Sequence, residues 1–395
     1  MIPLQIAVFS LYALTVAVLF ATLVPGYLGW LWWGRRRSAG YGGEVLPPTT
    51  LPHVDVLVPV HDEAGLIERK LDNLAALDYP PDRLRIVVID GASTDGTWRL
   101  LVERGRADQR LSTIRVEVAD KTRQLNVGLR HCRGDWVIVT DADARLMPET
   151  LRTIVAVGEA DQAVGVIGAT VIPERAHVLE HLHWRMANLI RRHESERGSA
   201  SMVAGPCYAF RRTLFDQFPD DVVGDDVYVA LFAATSGMRV ALASIQVTEQ
   251  RSPVRLTDLL RHKLRKTDAY LREIFRFLPH AARMKSPARA IFLWRVAHLT
   301  VLPVLVALAA LGSALTLTRA DIPLGLHLIV LAVAAILFVA SWWGLGRRSS
   351  PALLLAHGVL LASVTLAALV FYPFSRQTAS LPKVANGPAG RGGGP

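Results

Sequence analysis

Two aspartates separated by one residue, Asp141 and Asp143, follow the apolar run 136–139. Hard divalent cations prefer oxygen ligands, and Mg²⁺ typically takes one or two carboxylates together with substrate phosphates. An Asp-x-Asp pair at the end of a buried strand therefore suits a metal that neutralises charge on a departing diphosphate. An acidic loop without a metal is the alternative that these two residues alone leave open.

A second pair of carboxylates, Asp225 and Asp226, is adjacent in the sequence. Like charges placed close together raise the pKa of a carboxyl group, and a raised pKa strengthens a general base. The pair therefore predicts a group that removes a proton from a substrate hydroxyl. The alternative is an ordinary first turn of a helix, where acidic side chains suit the helix dipole.

The segments that must position these carboxylates alternate between strand and helix patterns. Strands are predicted at 54–60, 84–90, 112–118 and 136–143, and helices at 63–77, 97–106 and 121–132. This alternation indicates βαβ units and a mostly parallel sheet, in which ligands bind beyond the carboxyl ends of the strands. Asp62, Asp90 and the Asp141/Asp143 pair lie at such ends, so we expect them to meet at one edge.

Apolar residues make up 51% of the 395 residues and are concentrated in four blocks: 3–33, 291–318, 322–345 and 351–374. A membrane span needs about 20 mainly apolar residues, so we predict one N-terminal and about three C-terminal transmembrane helices. Three arginines, 35–37, follow the first block, and positive residues stay on the cytoplasmic side. The sequence therefore predicts a multi-pass protein of the cytoplasmic (inner) membrane whose main domain lies in the cytoplasm.

Nearly all of the net charge of +10 comes from the segment 251–295, which has twelve Lys or Arg against three acidic residues. Its apolar residues recur at helical spacing. A basic amphipathic helix next to a membrane span is typical of a segment that lies on the anionic inner leaflet. The adjoining spans disfavour a nucleic-acid partner, the alternative with the same charge sign.

Six short segments then carry a resemblance. They are VPVHDE (58–63), VVIDGASTDGT (87–97), KTRQLNVGL (121–129), TDADARLMPETL (140–151), GPCYAFRRTLF (205–215) and GDDVYVAL (224–231). In this order the chain resembles a membrane-anchored, inverting family 2 glycosyltransferase of the GT-A fold. The resemblance implies a nucleotide-sugar donor, with a UDP-sugar favoured, a divalent metal (Mn²⁺ or Mg²⁺), and transfer to a lipid or lipid-linked acceptor.

The resemblance also implies roles for individual residues. Asp90 would contact the base of the nucleotide, Lys121 its phosphates, Asp141 the ribose and the metal, and Asp143 would be the main metal ligand. Asp226 would be the general base, with Asp225 beside it. The remaining donor-side residues would be Pro59, Asp62, Glu63 and Ser93, and those on the acceptor side Gly205, Tyr208, Arg211 and Trp184. Trp184 is either a stacking platform for a sugar or a core anchor.

One departure from the family pattern affects the predicted product. Polysaccharide-making members usually carry Gln-x-x-Arg-Trp before the spans, whereas this chain places His262, Arg265 and Lys266 at those positions. Only the arginine is retained, and it could pair with the diphosphate or be one more basic residue at the lipid surface. The missing tryptophan disfavours a processive exopolysaccharide synthase. An inactive membrane scaffold of the same fold is the third alternative, and the oligomeric state stays open.

The predicted organisation follows from these patterns. It comprises an N-terminal transmembrane anchor (1–34), a linker (35–52), a GT-A catalytic domain (53–250), basic interfacial helices (251–290), C-terminal transmembrane helices (291–375) and a disordered tail (376–395). The fold class expected is therefore a Rossmann-like α/β domain, with a mostly parallel sheet, attached to apolar helices.

Overall fold

The computed structural model describes residues 17–19, 21–35, 50–317 and 350–374. Its strands are β1 (Val54–Val60), β2 (Leu84–Gly91), β3 (Leu111–Val116), β4 (Trp136–Thr140), β5 (Ala144–Leu146), β6 (Val164–Pro173), β7 (Cys207–Arg211) and β8 (Arg239–Glu249). Its helices are α1 (Tyr27–Arg35), α2 (Ile67–Ala75), α3 (Thr97–Ala107), α4 (Lys121–His131), α5 (Thr150–Ala160), α6 (Val178–Arg197), α7 (Asp225–Thr235), α8 (Leu256–Phe277), α9 (Ala288–Leu317) and α10 (Pro351–Phe371).

The strands form one eight-stranded sheet in the order β3-β2-β1-β4-β7-β6-β8-β5. The half from β3 to β4 is parallel throughout, as the strand and helix alternation predicts. The prediction of a mostly parallel sheet is wrong for the other half, where β7 runs antiparallel to both of its neighbours and β5 is antiparallel to β8. The sheet is therefore mixed. The long segment between β6 and β7 reverses the direction of the chain, whereas a βαβ crossover would make the two strands parallel.

The chain turns from one side of β1 to the other between β3 and β4, since β2 and β4 both pair with β1. Every residue of β1 and β4 is buried, which is typical of central strands covered on both faces. A change of direction of this kind leaves a crevice at the carboxyl ends of the two strands. That crevice lies next to Asp62 and Asp141.

Helix α2 begins later than the sequence pattern predicts. Its apolar side chains Ile67, Leu71 and Leu74 are buried at helical spacing, but residues 61–66 form a loop instead of a first helical turn. Asp62 adopts a left-handed backbone conformation with φ of 47°, which a continuous helix does not accommodate. The loop keeps the polar residues after β1 at the edge of the sheet.

Among the described residues, two helices are long and apolar enough, by length and composition, to cross a membrane: Ala288–Gly312 and Pro351–Phe374. The apolar helix at 17–33 is shorter. The predicted span at 322–345, most of the linker 35–52 and the tail 376–395 lie outside the described residues. The predicted number of spans therefore stays a prediction.

A buried ion-pair network joins the apolar helices to the α/β domain. Glu194 of α6 is fully buried and accepts hydrogen bonds from Tyr27 of α1 at 2.5 Å and from Arg295 of α9 at 3.0 Å. Ser201 donates to the same carboxylate at 2.7 Å. A charge buried in this way is stable only when its oxygens are fully paired, so the network fixes the position of α1 and α9 against α6.

Helix α8 lies between the α/β domain and the apolar helices. It packs against α7 on one side and α10 on the other. Leu259, Leu271 and Ile274 are buried, whereas Leu256, Leu260 and Leu264 follow one another at one-turn spacing and are 47%, 40% and 37% exposed. The helix is therefore amphipathic, with a leucine row on its open face.

Candidate active site

The loops after β1 and β2 hold each other in place. The backbone N–H of Asp62 donates to Ser93 Oγ at 2.8 Å, and the Thr94 N–H donates to Asp62 Oδ1 at 2.7 Å. Pro59 lies inside β1, opposite Ile89 of β2. Asp62 therefore uses its carboxylate to bridge the two loops, Ser93 supports the first of them, and the donor-binding roles of Pro59, Asp62 and Ser93 stay predictions.

Asp90, at the end of β2, is fully buried. One carboxylate oxygen, Oδ2, accepts a hydrogen bond from the Ser93 N–H at 3.1 Å and lies 3.4 Å from Arg115 Nε. The other oxygen, Oδ1, has no hydrogen-bond partner among the described residues. Because an unpaired buried acceptor is costly, Oδ1 is a ready acceptor for an N–H group of a ligand.

Lys121, the first residue of α4, joins two of the predicted site carboxylates. Its Nζ lies 3.0 Å from Asp141 Oδ1 and 3.2 Å from Asp225 Oδ1. Burial alone would lower the pKa of Lys121, but the charges of Asp141 and Asp225 outweigh it and the pKa is raised. The ammonium therefore stays charged between the Asp-x-Asp segment and the start of α7.

Gly205 lies in the space between Asp141 and Asp226. A Cβ at this position would stand 3.6 Å from Asp141 Oδ2 and 3.6 Å from Asp226 Oδ2. The first turn of α7 thus faces the end of β4 across a glycine. Asp225 and Asp226 form the first turn of α7, as the alternative interpretation of this pair predicts. The fold also brings both carboxylates close to the end of β4.

Asp226 is the carboxylate best suited to accept a proton. Burial and the neighbouring Asp225 raise its pKa to about 6, although Lys121 and Lys266 act in the opposite direction. Asp225 differs in its environment, since it accepts a hydrogen bond from the buried Tyr208 hydroxyl at 2.6 Å and pairs with Lys121. Different surroundings for two adjacent carboxylates are typical of an acid–base pair with separate roles.

Asp143 belongs to a second group of carboxylates. Burial and the charges of Asp141, Glu249 and Glu63 raise its pKa to about 7, while Arg251 lowers it. Glu63 is paired with Arg251 at 2.7 Å. A cluster of carboxylates that one arginine balances only in part is favourable for a cation, because a cation relieves the repulsion between the carboxylates.

The donor set fits a divalent metal that is bound together with a nucleotide. Among the described residues, no group of three or more His, Cys, Asp or Glu side chains is placed to hold a metal by itself. Asp141 and Asp143 offer two carboxylates, and Mg²⁺ and similar ions complete such a set with phosphate oxygens and water. The residues are therefore compatible with Mn²⁺ or Mg²⁺ that enters with a diphosphate.

Lys70 supports the Asp-x-Asp segment and was not predicted. Its buried Nζ donates to Thr140 Oγ1 at 2.9 Å and to the Ala144 carbonyl at 2.6 Å. These two hydrogen bonds hold the backbone on both sides of Asp141 and Asp143. Burial lowers its pKa to about 8. A lysine in the middle of an amphipathic helix gives no sequence signal for this contact, apart from its place on the apolar face beside Leu71 and Leu74.

One predicted acceptor-side residue, Arg211, lies away from the crevice. Arg211 pairs in register with Trp136, the first residue of β4, and donates to the carbonyl groups of Gly158 at 2.6 Å and Val164 at 2.9 Å. It therefore lies at the opposite end of the strand from Asp141. Trp184 is 6% exposed and donates to Glu249 at 3.2 Å, and its ring also lines a cavity beside α8 and α10, so its acceptor-side role stays a prediction.

Helix α8 brings further cations close to the site. Burial lowers the pKa of Arg265 while the charge of Asp141 raises it, so this predicted diphosphate ligand lies within electrostatic reach of the Asp-x-Asp segment. The charge of Lys266 in turn lowers the pKa of Asp226. The basic stretch thus faces the site as well as the outer surface.

A crevice at the carboxyl ends of parallel strands, an Asp-x-Asp segment at its edge and a paired-carboxylate helix facing it are typical of the GT-A fold. Residues 55–218 match the family model Glycosyl transferase family 2. This part of the chain therefore agrees with the family that the sequence resembles, while membrane anchoring and inversion stay predictions.

Known proteins support this class. The N-acetylglucosaminyltransferase of Rhizobium meliloti (strain 1021) is 25% identical over 252 residues, 58% of this chain and 58% of that protein. The beta-monoglucosyldiacylglycerol synthase of Nostoc sp. (strain PCC 7120 / SAG 25.82 / UTEX 2576) is 30% identical over 121 residues, 30% of this chain and 26% of that protein. The chain thus spans less than two thirds of the length of these relatives.

A solved structure covers more of the molecule. The mannosyltransferase PcManGT from Pyrobaculum calidifontis, in complex with GDP-Man and Mn²⁺, aligns with 92% of this chain and 99% of its own, with a TM-score of 0.70 and 25% identity. The similarity extends beyond the residues of the family model, because that model ends at residue 218.

Proposed function

We propose that this chain is an inverting glycosyltransferase that moves one sugar from a nucleotide-sugar donor to a lipid or lipid-linked acceptor at the cytoplasmic face of the membrane. The observation that carries the proposal is the meeting of Asp141, Asp225 and Asp226 around Lys121, with Gly205 between Asp141 and Asp226. These groups come from separate segments of the chain, and the glycine leaves room for a methyl-sized group between the two carboxylates.

The donor would lie along the carboxyl ends of β1, β2 and β4. Asp90 Oδ1, which lacks a partner among the described residues, would accept a hydrogen bond from the nucleotide base. Asp143 and Asp141 would hold Mn²⁺ or Mg²⁺, and the bound ion supplies positive charge that neutralises the leaving diphosphate. Arg265, in electrostatic reach of Asp141, would contact a diphosphate oxygen.

Asp226 would act as the general base. Its carboxylate takes the proton of the acceptor hydroxyl, and the acceptor oxygen attacks the anomeric carbon from the side opposite to the diphosphate. The bond between that carbon and the diphosphate oxygen breaks, and its electron pair leaves with the nucleoside diphosphate, so the sugar carbon inverts. Lys121 and the Tyr208 hydroxyl hold Asp225, which keeps Asp226 as the carboxylate that faces Gly205.

The membrane part of the proposal rests on the two helices that are long enough to span a bilayer. Arginines 35–37 favour a cytoplasmic catalytic domain, and the leucine row of α8 would lie on the inner leaflet. A relative whose name includes a diacylglycerol product supports a lipid acceptor. A UDP-sugar is the first donor to test, and a GDP-sugar, as in the PcManGT complex, is the second.

Nucleoside diphosphate release by the purified full-length protein in detergent tests the proposal. Donors are UDP-, GDP- and dTDP-sugars with Mn²⁺ or Mg²⁺, and a bacterial lipid extract supplies acceptors. We expect turnover of one donor that is lost in Asp143→Asn and Asp226→Asn, with a discrete glycolipid as product. A ladder of products would favour the processive synthase. Absence of turnover and of metal-dependent nucleotide binding would favour the inactive scaffold.

A further inference from the structure

The described parts of α1, α6, α8, α9 and α10 enclose a cavity of about 540 Å³, within the usual range for small-molecule sites of roughly 300–1,000 Å³. Its walls toward α9 and α10 are mostly apolar, although Arg295, His298, His357 and Thr365 also line them. The apolar lining includes Leu299, Leu302, Val306, Leu354, Leu355 and Leu361. A cavity with such walls, placed between two helices that are candidates for membrane spans, suits an aliphatic chain.

The end of the cavity toward α6 and α8 is cationic. Lys266 Nζ makes no hydrogen bond or ion pair with a described residue, and it lies 5.3 Å from the ring centroid of Trp184. Arg191 lies 5.7 Å from the same ring and donates only to groups of its own helix, the Asn188 side chain and the Ala187 carbonyl. Two cations therefore meet at one buried tryptophan.

Lys263, on the same helix α8, differs from Lys266 in having a direct ion-pair partner. Lys263 lies one turn before Lys266 and pairs with the fully buried Glu180 at 2.6 Å. Among the described residues, the fold gives Lys263 a direct ion pair and gives Lys266 none, although Glu249, Glu180 and Asp226 act on Lys266 at longer range. Because a buried ammonium is stabilised by a direct contact with an anion, Lys266 is a place for an anionic group that arrives with a ligand.

A second polar group points to a ligand at the same end. His357 of α10 is 2% exposed, and its Nε2 has no hydrogen-bond partner among the described residues. Its ring centroid lies 5.6 Å from that of His183 of α6. Since buried polar atoms are normally paired, the ligand at this end carries hydrogen-bonding groups in addition to negative charge.

The cavity meets the proposed catalytic site at Ala204. This residue lines the cavity, and the next one, Gly205, occupies the space between Asp141 and Asp226. Lys266, Arg191 and Tyr270 line the cavity too, and each acts electrostatically with Asp226. A molecule in the cavity thus presents its polar end to the carboxylate that would accept the proton.

We propose that the cavity binds the acceptor, and that the acceptor is a lipid whose headgroup carries both a phosphate and a hydroxyl. The phosphate pairs with Lys266 and Arg191, the hydrocarbon chain lies between α9 and α10, and the hydroxyl faces Asp226. The inference rests on the proposed function and extends it by naming the chemistry and the place of the acceptor. A neutral lipid would leave Lys266 without a direct ion-pair partner among the described residues.

The test is equilibrium binding to the full-length protein in neutral detergent, without donor or metal. The probes are 1-oleoylglycerol 3-phosphate and 1-oleoylglycerol, which share the acyl chain and a free hydroxyl and differ in the phosphate. We expect the phosphate-bearing probe to bind about tenfold or more tightly, the effect of one charge-assisted contact. Glycerol 3-phosphate, which lacks the chain, should compete weakly. Equal binding of the two lipids, or equally strong competition by glycerol 3-phosphate, would overturn the proposal.

Matched variants of α8 locate the effect. Lys266→Met should remove the preference for the phosphate-bearing lipid, and Lys266→Arg should keep it. Arg261→Met removes the same charge from an 82% exposed position on the same helix and should keep the preference. If Lys266→Met retained the preference, or Arg261→Met lost as much of it, the proposal would be wrong.

Binding of the donor nucleotide separates this proposal from the proposed function. Metal-dependent binding of a nucleoside diphosphate should be equal in the wild type and Lys266→Met, because Lys266 faces the acceptor cavity. Intact nucleotide binding without a phosphate preference would overturn the acceptor inference and leave the glycosyltransferase function standing. If the wild type bound no nucleoside diphosphate but still preferred the phosphate-bearing lipid, the glycosyltransferase function would be rejected and the lipid-phosphate site would be supported.

Discussion

Lys121 Nζ lies 3.0 Å from Asp141 Oδ1, and this contact connects the start of α4 to the Asp-x-Asp segment at the end of β4. The same ammonium reaches Asp225 at 3.2 Å. One cation thus sets the distance between the donor side and the general-base side of the proposed site.

Replacing Lys121 with methionine should disable the enzyme while leaving the sheet intact. Without the ammonium, Asp141 and Asp225 repel each other, so we expect kcat/KM to fall by about a hundredfold, the usual effect of losing one preorganised charged contact. Nucleoside diphosphate release measures the loss. Arg123→Met, on the same helix but exposed, is the control, and similar losses in both variants would contradict a specific role.

The pH dependence of turnover should report Asp226. Burial and Asp225 raise its pKa to about 6, and only the deprotonated form accepts a proton, so kcat should rise as the pH increases through about 6. Asp225→Asn removes the neighbouring negative charge and should shift this limb to lower pH. A pH–rate profile of both proteins checks the prediction, and a limb that stays in place in Asp225→Asn would assign it to another group.

Asp143→Asn should weaken metal binding more than it weakens folding. The variant loses a carboxylate from a cluster whose mutual repulsion favours a cation, so we expect Mn²⁺ affinity in the presence of a nucleoside diphosphate to fall by at least about tenfold. Titration of free Mn²⁺ by electron paramagnetic resonance measures it. Asp216→Asn, at a fully exposed position, should leave the affinity unchanged, and an unchanged affinity in Asp143→Asn would remove this residue from the metal site.

A side chain at Gly205 should block the space between Asp141 and Asp226. Its Cβ would lie 3.6 Å from both carboxylates, an ordinary contact that the fold tolerates, so Gly205→Ala should fold with nearly unchanged Tm. We expect its kcat/KM to decrease by at least about a hundredfold, because displaced reacting groups lose their alignment. Gly65→Ala, where a Cβ meets nothing within 4 Å, is the control. Normal activity of Gly205→Ala would place the reaction elsewhere.

Some features of the site followed from local patterns alone. β1 was predicted with the bounds that the structure has, because a fully buried strand is a continuous apolar run. Asp90 and Asp141 were placed at strand ends by the same reasoning, and parallel strands bring such ends to one edge. Arg211 was predicted on the acceptor side together with Tyr208, but it ends β7 opposite Trp136, because an extended strand rises by about 3.4 Å per residue and carries residue 211 away from the edge near Asp141.

The sequence by itself indicated the family, the alternation of strands and helices in the parallel half, and the carboxylates that can meet at its edge. These depend on hydrophobic periodicity and on motifs within single segments. The order of the strands, the mixed half of the sheet, the support of Asp-x-Asp by Lys70, and the different partners of Lys263 and Lys266 were decided only by the tertiary structure. The physical reason is that whether a buried charge finds a partner depends on side chains far away in the chain, and local spacing contains no information about them.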